Sequence, residues 1–171
     1  MLKSFKNITT FVFDVDGVLT DGTIFLTESG AMLRKMHVKD GYALQFAVKK
    51  GYTIIVISGG SSPESKLRLE KLGVTHVYMQ VEDKLKKLQQ LVDDLQLDKE
   101  SILYMGDDIP DLDVMLYCGL ACCPTNAVPE IKRISKYISP FEGGCGCVRD
   151  VIEKVLKLQD QWSPDTHIPS K

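Results

Sequence analysis

Short apolar runs, rich in β-branched and aromatic residues, recur along the chain, and an amphipathic stretch follows each one. Thr10-Phe11-Val12-Phe13, Thr53 to Ile57, His76 to Met79 and Ile102 to Met105 are the clearest of these runs. Continuous apolar runs of this length predict strands covered on both faces, as in a parallel sheet. Gly119 to Cys122 and Lys136 to Ile138 are weaker candidates of the same kind. The stretches between them carry a helical pattern. Gly41 to Lys49 is amphipathic and ends at Gly51. Ser61-Ser62-Pro63-Glu64 reads as a capped helix start with proline in the first turn, and Gly73 closes that helix. Leu85 to Leu95 puts Leu85, Leu88, Leu91, Val92 and Leu95 at helical spacing, and Asp111 to Tyr117 and Val148 to Leu158 complete the set.

Strands alternating with helices predict an α/β protein, a three-layer α/β/α Rossmann-like parallel sheet. One segment breaks the rhythm. Ile24 to Leu26 and Met32 to Val38 flank Glu28-Ser29-Gly30, a turn signal, so a β-hairpin is expected directly after strand 1. The domain is read as residues 1–158. Residues 159–171 are polar, contain Pro164 and Pro169, and read as a mobile tail.

Composition narrows the class. The 171 residues are 44% hydrophobic with a formal charge of −2, which fits one domain with a proper core and argues against broad nucleic-acid binding. No apolar run approaches the ~20 residues that span a bilayer, and no signal peptide opens the chain. A soluble, cytoplasmic protein with no membrane partner is expected. Five cysteines, Cys118, Cys122, Cys123, Cys145 and Cys147, cluster late and are odd in number, unlike a secreted disulfide framework. Cys145-Gly146-Cys147 lacks the second spaced pair of a zinc site, so these read as reduced thiols.

In an open parallel sheet, ligands bind beyond the carboxyl ends of the strands. The first strand ends in Asp14-Val15-Asp16-Gly17, the second in Ser58-Gly59-Gly60 and the fourth in Gly106-Asp107-Asp108, while Lys84 precedes the helix after the third. A lone aspartate in such a place is usually a turn or helix cap, and a lone lysine a solvated charge. Order and placement carry the signal here, because all the polar stations fall on one rim. Magnesium takes about six oxygens with few protein carboxylates, which Asp14 and Asp107 can supply. A phosphoryl group beside it needs cationic and hydrogen-bonding partners, and Lys84, the Ser58 hydroxyl and the Gly59 amide suit that work. Asp16 can protonate a leaving oxygen and later activate water.

These residues resemble a known family. Asp14-Val15-Asp16-Gly17-Val18-Leu19-Thr20 is similar to the signature of the haloacid dehalogenase-like phosphatases, and Ser58, Lys84 and Gly106-Asp107-Asp108 with Asp111 resemble its other motifs in order. The resemblance implies a haloacid dehalogenase-like fold in which Asp14 attacks phosphorus to form an aspartyl-phosphate. It implies Mg2+ held by Asp14, the Asp16 carbonyl and Asp107, a phosphate held by Val15, Ser58, Gly59 and Lys84, and supporting roles for Asp108 and Asp111, with Asp108 behind Lys84 or the metal's water. A hairpin and a helix use up the chain between Asp14 and Ser58, and one helix and one strand use up that between Ser58 and Lys84. Neither gap has room for a cap domain, so the site works open or takes a lid from a neighbouring subunit.

Thr20-Asp21-Gly22, the hairpin, Val38-Lys39-Asp40-Gly41 and Gly143-Gly144-Cys145-Gly146 resemble the capless 3-deoxy-manno-octulosonate 8-phosphate phosphatases and their nonulosonate-phosphate relatives. That subgroup implies a homotetramer built through the hairpins and a phosphorylated 2-keto-3-deoxy sugar-acid substrate. Asp16, His37, Val38, Lys39, Asp40, Gly41 and Arg68 would contact it. This chain carries Gly60 and Gln45 where the subgroup usually has arginines. The alternatives are the same chemistry on a nonulosonate 9-phosphate or another small phosphorylated metabolite, and a non-catalytic tetramerising module like those appended to sugar-nucleotide synthetases.

Overall fold

The structure, a computed structural model, describes residues 2–169. In chain order its elements are α1 (Leu2–Lys6), β1 (Thr10–Phe13), β2 (Phe25–Leu26), β3 (Met32–Leu33), α2 (Val38–Lys49), β4 (Thr53–Ile57), α3 (Pro63–Lys71), β5 (His76–Tyr78), α4 (Lys84–Asp94), β6 (Ile102–Met105), α5 (Leu112–Tyr117), β7 (Leu120–Cys123), α6 (Pro129–Ile134), β8 (Tyr137–Ile138) and α7 (Cys147–Leu158). Six strands form one parallel sheet in the order β5-β4-β1-β6-β7-β8. The chain builds outward from β1 on one side, then returns to start β6 on the other. That reversal opens a crevice beyond the carboxyl ends of β1, β4 and β6.

Alternation along β1 splits the core into two layers. Phe11 and Phe13 face a cluster with Leu44 and Phe46 of α2, Leu69 of α3 and Val151, Ile152 and Val155 of α7. Val12 faces the opposite cluster with Leu88 and Leu91 of α4, Val114 and Met115 of α5, and Ile131 of α6. Both faces of the sheet are therefore covered, as the unbroken apolar strands require. This is the three-layer α/β/α arrangement expected from the sequence, and the described residues hold no cap domain.

Several boundaries differ from the sequence reading. Met32 to Val38 is not one strand: pairing stops at Leu33, an isolated bridge joins Thr20 to Met36, and α2 already begins at Val38. Phe25, Leu26, Met32 and Leu33 are all exposed, so no second layer among the described residues covers the hairpin. α1 and α6 were not foreseen, because helices of five and six residues are too short to show a period. Within residues 159–169, Trp162, Asp165 and Pro169 touch α2. The Trp162 ring packs tilted on Phe46 with centroids 4.9 Å apart, the Tyr42 hydroxyl donates to the Asp165 carbonyl at 3.1 Å, and Lys49 pairs with the Asp165 carboxylate at 2.6 Å. No helix of the described residues is long and apolar enough to cross a membrane.

Candidate active site

β1 delivers Asp14 into the crevice. The Asp14 amide continues the parallel ladder by donating to the Met105 carbonyl at 3.1 Å, so backbone pairing fixes where its carboxylate emerges. The chain then turns sharply through Val15–Leu19, closed by the Thr20 amide on the Val15 carbonyl at 2.9 Å. Gly17 lies at φ +91°, and a Cβ there would stand 2.0 Å from Asp107 Oδ2. Only glycine lets the turn lie against that carboxylate.

The other stations arrive from neighbouring strands. Ser58 follows β4 and is buried; its amide donates to the Tyr78 carbonyl at 2.9 Å, and its Oγ accepts from the Gly60 amide at 3.1 Å. The Ser58 hydroxyl proton thus remains available to an incoming oxygen. Lys84 opens α4, whose N-terminus Asp83 caps by accepting from the Lys86 amide at 2.8 Å. Its ammonium lies 2.9 Å from Asp14 and 2.7 Å from Asp111. Together with Asp16, Gly22, Gly59, Gly60, Asp107, Asp108 and Pro110 these residues line a cleft of about 320 Å³.

Carboxylates outnumber cations in this cleft. Burial first, and then the carboxylate of Asp111, pushes Asp14 up to about 7, against weaker pulls from Lys84 and the Val15 amide. Burial and the neighbouring Asp14, Asp111 and Asp108 charges likewise raise Asp107 to about 7. Burial pulls the Lys84 ammonium down, but Asp14 and Asp111 outweigh it and hold its pKa above the usual lysine value. Asp14, Asp107 and Asp111 each offer an oxygen within 4.8 Å of the others, and Asp107 Oδ1 is buried with no hydrogen-bond partner among the described residues. Crowded carboxylates with an unpartnered buried oxygen suit a hard divalent cation. Asp111 has less to offer it: Oδ1 accepts from Lys84 at 2.7 Å and from the Tyr104 hydroxyl at 2.9 Å, while Oδ2 accepts from the Asp107 amide at 3.2 Å. No cysteine belongs to this cluster; all five are free thiols, and of them only Cys145 is exposed.

The cleft thus gathers Asp14, Asp16, Ser58, Gly59, Lys84, Asp107, Asp108 and Asp111. One expectation changes in detail. Asp108 does not touch Lys84; its side chain accepts from the Ile109 amide at 2.8 Å, and Asp111 is what holds the lysine. Asp16 has a partner that the sequence did not reveal, since Arg34 Nε and Nη2 donate to its two oxygens at 2.7 and 3.1 Å.

Of the other substrate residues, Val38 and Arg68 line a pocket of about 300 Å³ that also contains Arg34, flanking the cleft between hairpin and α3. Arg68 lies over Gly41, where a Cβ would meet Nη2 at 3.3 Å. His37 and Lys39 face a different pocket with Arg149 and Lys157, away from Asp14 within one subunit. Asp40 turns inward, 2% exposed, and accepts from the Arg149 amide at 2.7 Å, which joins α2 to the first turn of α7. Sequence reasoning missed Arg34, Gly22 and Tyr104. The one available signal for Arg34 was an arginine in the hairpin of a chain lacking the usual one at position 60.

The family model for haloacid dehalogenase-like hydrolases matches residues 73–148. The chain is 34% identical to the 3-deoxy-D-manno-octulosonate 8-phosphate phosphatase KdsC of Yersinia pestis over 161 residues, 94% of this chain and 86% of that enzyme. A solved structure of the Moraxella catarrhalis 3-deoxy-D-manno-octulosonate 8-phosphate phosphatase, in complex with a magnesium ion, a phosphate ion and KDO, superimposes with a TM-score of 0.90 at 34% identity. It covers 93% of this chain and 91% of its own. The cobalt-bound octulosonate phosphatase of Haemophilus influenzae gives a TM-score of 0.87 at 27% identity, over 92% of each chain.

Fold, site and relatives define an enzyme of the haloacid dehalogenase-like class, a phosphatase. Within that class the chain belongs to the family of the 3-deoxy-D-manno-octulosonate 8-phosphate phosphatases. The reading as a non-catalytic assembly module falls away, since a scaffold has no use for the filled stations at Asp14, Asp16, Lys84 and Asp107.

Proposed function

We propose that this chain is a magnesium-dependent phosphomonoester hydrolase that acts through an aspartyl-phosphate on Asp14. The observation that carries the reading is the cleft itself, where Asp14, Lys84 and the unpartnered Asp107 oxygen converge. Asp14 and Asp107, with the Asp16 carbonyl, would hold the ion, which supplies positive charge against the phosphoryl oxygens. Lys84, the Ser58 hydroxyl and the Val15 and Gly59 amides bind the phosphate. An Asp14 oxygen forms a bond to phosphorus as the ester P–O bond breaks, and protonated Asp16 gives its proton to the departing oxygen. Asp16, now a carboxylate, takes a proton from water as that water attacks phosphorus. Phosphate leaves and the Asp14 carboxylate is restored.

The substrate we infer is a phosphorylated 2-keto-3-deoxy sugar acid such as 3-deoxy-D-manno-octulosonate 8-phosphate. Support comes from the relatives and from Arg34 and Arg68 in the pocket beside the cleft. Gly60 and Gln45 favour a second reading, the same chemistry on a nonulosonate 9-phosphate or another small acid. The assembly we infer is a homotetramer built through the hairpin, whose Phe25 and Leu26 are largely exposed among the described residues. A screen of kcat/KM across sugar-acid and neutral sugar phosphates separates the substrates, and a preference for neutral hexose phosphates overturns the sugar-acid reading. Asp14→Asn is expected to lower turnover by at least about a thousandfold, and full activity in that variant removes the nucleophile.

A further inference from the structure

Asp16 must give a proton to a leaving oxygen, yet both of its oxygens are taken. Arg34 reaches them from the hairpin, Nε to Oδ1 at 2.7 Å and Nη2 to Oδ2 at 3.1 Å. A guanidinium holding a carboxylate through two parallel bonds is the strong form of this pair. The rest of the hairpin is open to solvent, but the Arg34 side chain is only 5% exposed, so this is no loose surface contact. The Thr20 hydroxyl also donates to Asp16 Oδ1, at 3.4 Å.

Two features tie the pair to substrate choice. The first is Gly60, where an added Cβ would stand 3.0 Å from Asp16 Oδ2 and 3.5 Å from Arg34 Nη2. The pair therefore occupies room that a side chain at position 60 would contest. The second is the pocket of about 300 Å³ between hairpin and α3, where Arg34 and Arg68 share the lining with one carboxylate, Glu64, and with the apolar Met36 and Val38. Arg34 thus joins the catalytic cleft, through Asp16, to a pocket with two cations against one carboxylate. A molecule with phosphate at one end and carboxylate at the other fits the two compartments together.

We propose that Arg34 is the specificity-determining residue of this site, exchanging Asp16 for the carboxylate of a bound phosphorylated acid. The inference rests on the sugar-acid reading above. The exchange replaces one carboxylate by another, so the guanidinium is never left unpaired, and the freed Asp16 takes up a proton from water and turns to the leaving oxygen. A neutral phosphate ester brings no replacement and leaves Asp16 engaged. Selection for acids then comes from releasing the general acid as well as from added binding.

The test compares kcat/KM for 3-deoxy-D-manno-octulosonate 8-phosphate and for p-nitrophenyl phosphate, with magnesium present, in the parent, Arg34→Ala, Arg34→Lys and Gly60→Ala. Arg34→Ala is expected to lower kcat/KM for the sugar acid by about ten- to a hundredfold, the worth of a hydrogen bond to a charged group. In the same variant kcat for the aryl ester should rise severalfold, because Asp16 is no longer held. Arg34→Lys, a point charge without the fork, should fall between. Gly60→Ala, which crowds the pair, should shift the ratio the same way by less. A parallel fall on both substrates, or an unchanged ratio in the variants that fold, overturns the proposal. If the parent cleaves neither ester, the phosphatase reading fails instead, and the two failures are distinguishable.

Discussion

Lys84 and Asp111 meet at 2.7 Å beneath the rim of the sheet, with side chains only 7% and 1% exposed. The same ammonium lies 2.9 Å from Asp14, so one cation serves two buried carboxylates. Asp111 touches no substrate in the proposed reaction; it fixes the lysine that does. Asp111→Ala should therefore lose most phosphate-releasing activity and about 1–3 kcal/mol of stability, because the buried Tyr104 hydroxyl loses its acceptor while Lys84 keeps Asp14. Asp111→Asn, which keeps acceptors for Lys84 and Tyr104, should lose less of both. Thermal melts and kcat check this, and an alanine variant equal to the parent in both refutes it.

Asp14 and Asp107 stand near 7 in the metal-free protein, raised from 3.8. Raised carboxylates bind more protons folded than unfolded, so metal-free stability falls as pH climbs through that interval. A cation needs both ionised, and its stabilisation should grow over the same interval. The gain in Tm on adding magnesium should be larger at about pH 8 than at about pH 5.5. An equal gain at both would remove these residues as ligands.

Asp40 offers a pH effect clear of the cleft. Burial lifts it to about 6, against weaker pulls from the Arg149 and Gly146 amides, His37 and the Arg149 charge, and its Oδ2 has no partner among the described residues. Its contribution is full at acid pH and is lost as pH rises through 6. Asp40→Asn cannot ionise and should gain on the parent with rising pH, by up to about 3 kcal/mol at about 1.4 kcal/mol per pKa unit. Melting profiles of the two proteins from about pH 4 to 7.5 decide it, and a constant difference rejects the assignment.

Phe25 and Leu26 are 59% and 77% exposed on strands of two residues each. These side chains would lie in the interface of the proposed homotetramer. Leu26→Glu should leave the fold intact by circular dichroism and shift the sedimentation coefficient toward that of a monomer. A variant that sediments like an oligomeric parent would place the interface elsewhere.

What the sequence made legible follows from local physics. β1, β4 and β6 stand out because strands covered on both faces need unbroken apolar runs, and Asp14, Ser58 and Asp107 follow from where those runs end. The partnership of Lys84 with Asp111 does not, since the two are remote in sequence and meet only because α4 and the turn before α5 share a sheet edge. Arg34 hid for a similar reason: its hairpin arm is too short to show alternation, so nothing local marks which way its side chain turns. The final segment looked mobile because polar residues and prolines mask Trp162, whose indole is what holds it to Phe46.

Gly143 and Gly144 lie so close to the first loop that a Cβ on Gly143 would fall 1.9 Å from the Gly17 carbonyl oxygen, and the Gly144 amide donates to Val18 at 2.9 Å. This joint has a consequence in time. A ribosome releases Asp14, Asp16, Ser58, Lys84 and Asp107 well before it releases Gly144, yet the loop carrying Asp16 gains its Val18 bond only from that late segment. A nascent chain therefore holds every reactive group before the last bond to their loop can form, and that bond arrives just ahead of α7.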